Sequence, residues 1–243
     1  MEEHENLYEK IREILGNSPG HLKILEEQID MDLQMEYFEC SMRVRDERSE
    51  DWALEHMQYL TEADYPQELK KEVLARMASV DSVECYRAIE AYAEHAPEPL
   101  IPWAVLALNE SRMLLESKIM EQNLVFISTG LGGKDQKLRY FVVLMTRTRV
   151  DLTSTQKMVI KNEFESILKK FDAVLEKADF SGYLATITLL LPMNHSLKSV
   201  FKEAIDECNR YGNFLNDDFI VTNVRVLSFG EIKDFLEKRS KAD

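Results

Sequence analysis

Residues 128–139 read STGLGGKDQKLR and come after a short apolar run, LVFI, at 124–127. A strand feeding a glycine-rich loop that ends in lysine is the outline of a phosphate cradle. In such a cradle backbone N–H groups wrap the phosphates, the lysine reaches the β and γ groups, and a hydroxyl next to it holds Mg²⁺. Two positions that carry this chemistry are wrong here. With Gly133-Lys134 as the glycine-lysine pair, Ser128 stands where the first glycine belongs and Asp135 where the hydroxyl belongs, which puts a carboxylate beside the phosphates. A cradle must also open a helix, whose N-terminus supplies anion-binding N–H groups. Residues 137–150 instead read KLRYFVVLMTRTRV, rich in β-branched and aromatic residues, which is a strand pattern. The stretch is therefore expected to be a β-hairpin loop, with Gly130, Gly132 and Gly133 supplying the positive φ angles that it needs.

The same hairpin holds the most basic stretch of the chain: Lys134, Lys137, Arg139, Arg147 and Arg149, broken by Asp135 and with Tyr140 and Phe141 between its ends. Cations interleaved with aromatics suit single-stranded nucleic acid, through phosphate neutralisation and base stacking. Lys134, Arg139 and Arg147 would also suit an anionic small molecule in a cleft between domains. Charged strand ends serve a third purpose, keeping sheet edges from pairing with other chains. These five residues are the candidates for ligand or partner contact.

No residue is assigned a catalytic role, and no metal or cofactor is expected. His4, His21, His56, His95 and His195 include no pair three or four apart, and neither a nucleophile elbow nor a dinucleotide fingerprint occurs. Cys40, Cys85 and Cys208 are odd in number and in no ligand spacing, so three thiols in a reducing compartment are expected. The acid pairs Asp217-Asp218 and Glu26-Glu27 read as caps or solvated residues.

The elements that would position these residues divide by charge. Of a net charge of −14, residues 1–119 carry 27 acidic and 12 basic residues, while residues 120–243 carry 17 and 18. An acidic first half repels phosphate backbones and anionic membranes; the second half does not. The N-terminal MEEHENLYEK has no secretory or transit pattern, and no run is long and apolar enough to span a membrane. A cytoplasmic setting is expected.

Residues 1–119 show helical periodicity. Leu7, Ile11, Ile14 and Leu15 form a stripe ending at Gly16; Leu22, Leu25, Ile29 and Leu33 begin a second helix that runs to about Val44. Further helices are predicted near 52–60, 66–78, 81–95 and 99–120. A weak self-similarity at an offset of 32 places Leu54, Met57 and Leu60 on Tyr86, Ile89 and Tyr92, and Val73, Leu74 and Ala75 on Val105, Leu106 and Ala107. On these residues the region 20–118 resembles HEAT-like helical repeats. The resemblance implies a stacked array with a concave binding surface, and hence an interaction function. An ordinary helical bundle is the alternative.

Residues 120–243 add, after the hairpin, a helix over 154–178, a strand at 183–191, a helix over 196–215, a strand at 219–227 and a terminal helix over 229–239. The order is ββαβαβα, expected to build a small four-stranded mixed sheet. The class is thus α+β: an N-terminal all-α helical-repeat or bundle domain, 1–119, joined to an α/β domain, 120–243. The expected function is a cytoplasmic, non-enzymatic protein-interaction scaffold whose partner is a protein held in the helical groove, with a homo-oligomer possible. The alternatives are an enzyme or binding protein for an anionic small molecule in the inter-domain cleft, or single-stranded nucleic-acid binding by the basic hairpin.

Overall fold

The computed structural model describes residues 22–121 and 124–239. The stripe expected at Leu7 to Leu15, and the histidines His4 and His21, lie outside them. The α+β class holds, with a helical region first and a sheet domain after it. Residues 29–125 form one compact unit, and residues 22–28 with 126–239 form the other.

The helical unit is a bundle. Its first helix, α1 (Met31–Arg45), starts where the Asp30 carboxylate accepts hydrogen bonds from the Asp32 and Leu33 N–H groups. The helix expected from Leu22 therefore begins nine residues later. Leu22–Ile24 is instead a short strand, β1, paired with β2 (Val125–Ile127). Next come α2 (Glu50–His56), capped by Ser49, then α3 (Gln67–Ala78) after Pro66, α4 (Val83–Ala93), and α5 (Ile101–Met120) with Pro102 in its first turn.

Helix α5 packs against α1, α3 and α4. At this junction Trp103 is buried, its indole N–H donates to the Lys71 carbonyl at 2.9 Å, and its ring meets Tyr37 edge-on at 5.2 Å. The buried Tyr37 hydroxyl and Ser41 donate to the two Glu110 oxygens at 2.5 and 2.7 Å. Burial, then the Glu110 charge, holds the Tyr37 hydroxyl well above its ordinary pKa.

This arrangement corrects the HEAT-like expectation. In a stacked array each helix pair touches only its sequence neighbours, whereas α5 reaches back to α1. The offset of 32 aligns helices of unequal size, a seven-residue α2 with an eleven-residue α4 and a twelve-residue α3 with a twenty-residue α5. A shared apolar period within helices produced the similarity.

In the second unit the central strand is β4 (Lys137–Met145), preceded by the two-residue β3 (Gly133–Lys134). Helix α6 (Ser154–Lys170) opens with a capping box between Thr153 and Gln156. Next along the chain are β5 (Val174–Ser181), β6 (Leu184–Pro192), α7 (Leu197–Asn209), β7 (Ile220–Thr222) and α8 (Phe229–Arg239). The strand order is β7-β4-β6-β5, with β3 also on β4, and every pair in this sheet is antiparallel. From β4 to β7 the chain runs β-α-β-β-α-β, the split or ferredoxin-like arrangement.

The departure from the expected order lies in α6. The helix predicted to reach Ala178 stops at Lys170, Asp172 turns left-handed at φ 53°, and β5 then forms a hairpin with β6 through Gly182 at φ 59°. Phe171 and Leu175 fit a helical stripe by their spacing of four, yet Leu175, Ala178 and Phe180 serve a strand whose alternation is offset by a bulge between Leu175 and Lys177. That extra strand places β6 between β4 and β5, so no two neighbouring strands of this sheet are parallel.

Strand β4 is apolar on both faces. Val142 and Leu144, with Ala185, Ile187 and Leu189 of β6, pack against Phe164 and Ile167 of α6 and Phe201 and Ile205 of α7. Phe141, Val143 and Met145 face the other way, under Leu131 and Ile232 of α8.

The three loop glycines serve close packing more than turning. The two-residue turn between β3 and β4 is made by Asp135 and Gln136, at φ 50° and 61°, and of the three glycines Gly132 alone has a positive φ, 65°. A Cβ at Gly132 would sit 2.4 Å from the Glu26 carbonyl oxygen, and one at Gly130 1.9 Å from that of Val224. Gly132→Ala should therefore lower stability by about 3 kcal/mol, read from chemical denaturation, because strain and a backbone clash add.

Helix α8 carries a pH-dependent cap. Glu231 accepts from the Ser228 N–H and hydroxyl, both at 2.8 Å, and from Arg225 at 2.7 Å. The Ser228 hydrogen bonds, then Arg225, hold its carboxyl at a pKa of about 2 against an ordinary 4.5. A depressed carboxylate contributes fully above its unfolded pKa and loses that contribution as pH falls through the folded one. The cap should thus be intact above about pH 4.5 and lost toward pH 2. The Glu231 side-chain carbon, tracked by NMR, should titrate near the lower value.

Candidate nucleic-acid interface

Three successive N–H groups of the glycine loop are already engaged. Leu131 donates to the Asn223 carbonyl at 3.0 Å, Gly132 to Thr129 at 3.0 Å and Gly133 to Glu26 at 3.3 Å, and residues 130–133 are buried. After Lys134 the chain enters the hairpin turn and then strand β4, so no helix supplies further donors. The loop is a structural seam that ties β4 to residues 26–27 and 223–224.

The five candidate cations do not form one site. Lys134 and Lys137 are cross-strand partners at the start of β4, while Arg147 and Arg149 lie beyond its other end, a strand of nine residues and roughly 30 Å away. Three of the five have carboxylate partners. Lys137 pairs with Asp172 at 2.9 Å and Arg147 with Asp217 at 2.6 Å. Arg139 makes a bidentate pair with Glu176, at 2.6 and 3.0 Å, and donates to the Leu131 carbonyl at 2.7 Å. Its side chain is only 12% exposed. Arg139 therefore holds the seam and the β5 edge together, and is not a free contact residue. Arg149 sits at φ 53° in the turn that ends β4, exposed, and Lys134 is exposed at the hairpin.

The intervening aromatics are also occupied. Phe141 is 3% exposed beneath α8, and burial pushes the Tyr140 hydroxyl up to about 12. The thiols are equally withdrawn: Cys40, Cys85 and Cys208 are free and buried, and burial raises each pKa, that of Cys208 to about 12. Such thiols are poor nucleophiles. Among the described residues no group of three or more His, Cys, Asp or Glu could hold a metal, and no helix is long and apolar enough to cross a membrane.

Topology assembles a different cationic surface. The register sets Lys137 opposite Pro192, Asp172 beyond α6 pairs with Lys137, Lys170 near the end of α6 pairs with Glu203 of α7 at 3.0 Å, and Phe171 meets His195 edge-on at 5.2 Å. One end of the unit thus brings together the segments that carry Lys134 and Lys137 in the hairpin, Lys169 (paired with Glu165 at 2.9 Å) and Lys170 in α6, His195 in the β6–α7 turn, and Lys198 and Lys202 in the first turns of α7. Lys198 and Lys202 are exposed, one helical turn apart, and no ion pair engages either among the described residues. They border a cavity of about 150 Å³, lined also by Ile205, Asp206, Asp217, Asp218 and Phe219.

Sequence reasoning missed this group because its members come from four segments. The one local signal was Lys198 and Lys202 at i, i+4 on a helix whose other side is apolar. A wider open recess of about 580 Å³ lies in the helical unit, where His56 stacks on Trp52 at 3.8 Å and Arg76 lies 4.7 Å over the same indole. These rings chiefly satisfy one another.

No family model and no curated protein matches this chain. Among solved structures it is similar to a putative transposase from Deinococcus radiodurans R1, at a TM-score of 0.38 and 17% identity, over 42% of this chain and 90% of that one. It is also similar to the REP-associated tyrosine transposase bound to a REP hairpin, at a TM-score of 0.32 and 14% identity, over 41% and 61% of the two chains. These similarities are too slight to carry a mechanism across. Both structures are described as transposases and neither as a scaffold; the expectation of a non-enzymatic protein-interaction scaffold is corrected, its HEAT-like basis being overturned by the return of α5 to α1.

The ion-pair geometry separates structural from free cations. Arg139→Met should cost about 2 kcal/mol, since it strands the Glu176 carboxylate and the Leu131 carbonyl. Lys134→Ala should leave the unfolding midpoint unchanged. Paired denaturation curves check both.

Proposed function

We propose that the α/β unit binds single-stranded nucleic acid at the end of its sheet where the β3–β4 hairpin, the C-terminus of α6 and the β6–α7 turn converge. The observation that carries this reading is that Lys134, Lys198 and Lys202, exposed and in no ion pair among the described residues, lie on segments that the Lys137–Asp172, Lys170–Glu203 and Phe171–His195 contacts draw to one end of the unit. Cations that track a phosphate backbone beside rings that take a base are what sequence-tolerant recognition of unpaired strands requires. The unit as a whole is close to neutral, with 18 basic and 17 acidic residues over 22–28 and 126–239, so the attraction is local. The acidic helical unit, with 21 acidic and 9 basic residues over 29–125, would contribute no such attraction.

The REP-associated transposase is bound to a REP hairpin; the present reading rests on the cationic end and not on that likeness. Three buried, reduced thiols fit a cytoplasmic setting, which belongs to the same proposal.

Engaging three or four phosphates gives a salt dependence of about −2 to −3 in log K against log salt for a single strand. Fluorescence anisotropy with labelled single-stranded DNA and RNA should show saturable binding with that slope. K198E with K202E should weaken binding about tenfold or more at low salt while leaving the fold intact by circular dichroism. Absence of saturable binding at about 50 mM salt, or a slope near zero, would refute the proposal.

A further inference from the structure

We infer that the cavity beside α7 receives one unpaired guanine of the bound strand. This deepens the nucleic-acid reading and rests on it. The cavity measures about 150 Å³, below the roughly 300–1,000 Å³ of pockets that enclose drug-sized ligands and close to the size at which an apolar protein cavity takes up one aromatic ring. A flat base fits such a volume, while its sugar and phosphate remain outside.

The chemistry of the lining selects the base. Ile205, 1% exposed, and Phe219, whose ring lies 5.1 Å from that of Phe201, provide apolar surface for a base to lie against. Lys198 and Lys202 stand at the rim, positioned for the phosphates on either side of an inserted nucleotide. The remaining lining groups are carboxylates, which accept hydrogen bonds and donate none when ionised. Asp217 is held by Arg147 at 2.6 Å, and Asp218 is anchored through its backbone N–H to the Asn216 side chain at 3.1 Å. No described ion pair engages the side chain of Asp218 or Asp206.

Guanine matches such acceptors best. Its Watson–Crick edge presents two adjacent N–H donors, at N1 and N2, which one carboxylate can take in parallel. Adenine and cytosine present one amino group beside a bare ring nitrogen. Thymine and uracil flank one N–H with two carbonyl oxygens, which a carboxylate repels. In a duplex the guanine edge is already paired, so the site reads an unpaired base.

The test compares a thymidine dodecamer with dodecamers carrying one central guanine, adenine or cytosine, measured by anisotropy on the full chain. The guanine oligomer should bind about fivefold or more tighter than the all-thymidine one, with adenine and cytosine in between. Asp218→Asn, combined with Asp206→Asn, should erase that preference while thymidine binding is retained or tightened, because two carboxylates beside the phosphate-binding lysines are neutralised, whereas K198E with K202E should weaken every oligomer. Equal affinity of the wild-type chain for all four oligomers, with salt-sensitive binding intact, would overturn the guanine site and leave the nucleic-acid reading standing. A guanine preference that survives in the double aspartate variant would do the same. Loss of all binding would overturn both.

Discussion

A strand that is apolar on both faces cannot lie at a surface, and in the second unit β4 imposes that constraint on everything around it. Its inner residues, Val142 and Leu144, require the layer made by α6 and α7, and its outer residues, Phe141, Val143 and Met145, require Leu131 and α8. Fully burying side chains of this size stabilises by roughly 1.5–3 kcal/mol each, more than any exposed ion pair in the molecule contributes. Burial also consumes both edges of the strand: β6 takes one, while β3 and β7 share the other. The glycine seam arises from the same demand, since the backbone at residues 130–133 must pass close to residues 26–27 and 223–224 to bring Leu131 over the sheet.

Electrostatics is subordinate to this packing and decides where function can lie. Arg139 leaves β4 among partly buried groups, and a guanidinium there must be matched; Glu176 and the Leu131 carbonyl match it. Arg147 is matched by Asp217 in a more exposed pair of little energetic weight, which fixes the orientation of residues 214–217. The cations left for a ligand are those that packing did not require: Lys134 at the turn and Lys198 and Lys202 on the solvent side of α7. A basic stretch in a sequence is thus a poor guide to a basic surface, because the most basic strand residues are those the fold neutralises first.

The same physics divides what was legible in the sequence from what was not. Helical periodicity marked α3, α4 and α5 closely, and the rejection of a phosphate cradle from Asp135 and the strand after it agrees with a loop whose Leu131, Gly132 and Gly133 N–H groups are engaged and whose chain runs on into a strand. The α+β class was equally plain. The end of α6 was not, because Phe171 and Leu175 continue the helical stripe by their spacing of four until pairing with β6 takes Leu175 into a strand. Nor was the bundle: helices that share an apolar period resemble repeats until the contacts of Trp103 and Tyr37 show α5 returning to α1.

By itself the sequence determined the class, the central strand and the acidic and neutral halves, because each depends on composition or on spacing within one segment. Tertiary structure alone decided the strand order, the partners of Lys137, Arg139 and Arg147, and the meeting of the hairpin, α6 and α7 around Phe171 and His195. Those outcomes depend on which distant segments are brought within a few ångströms, and that is set by how the apolar faces of the whole unit can be buried at once.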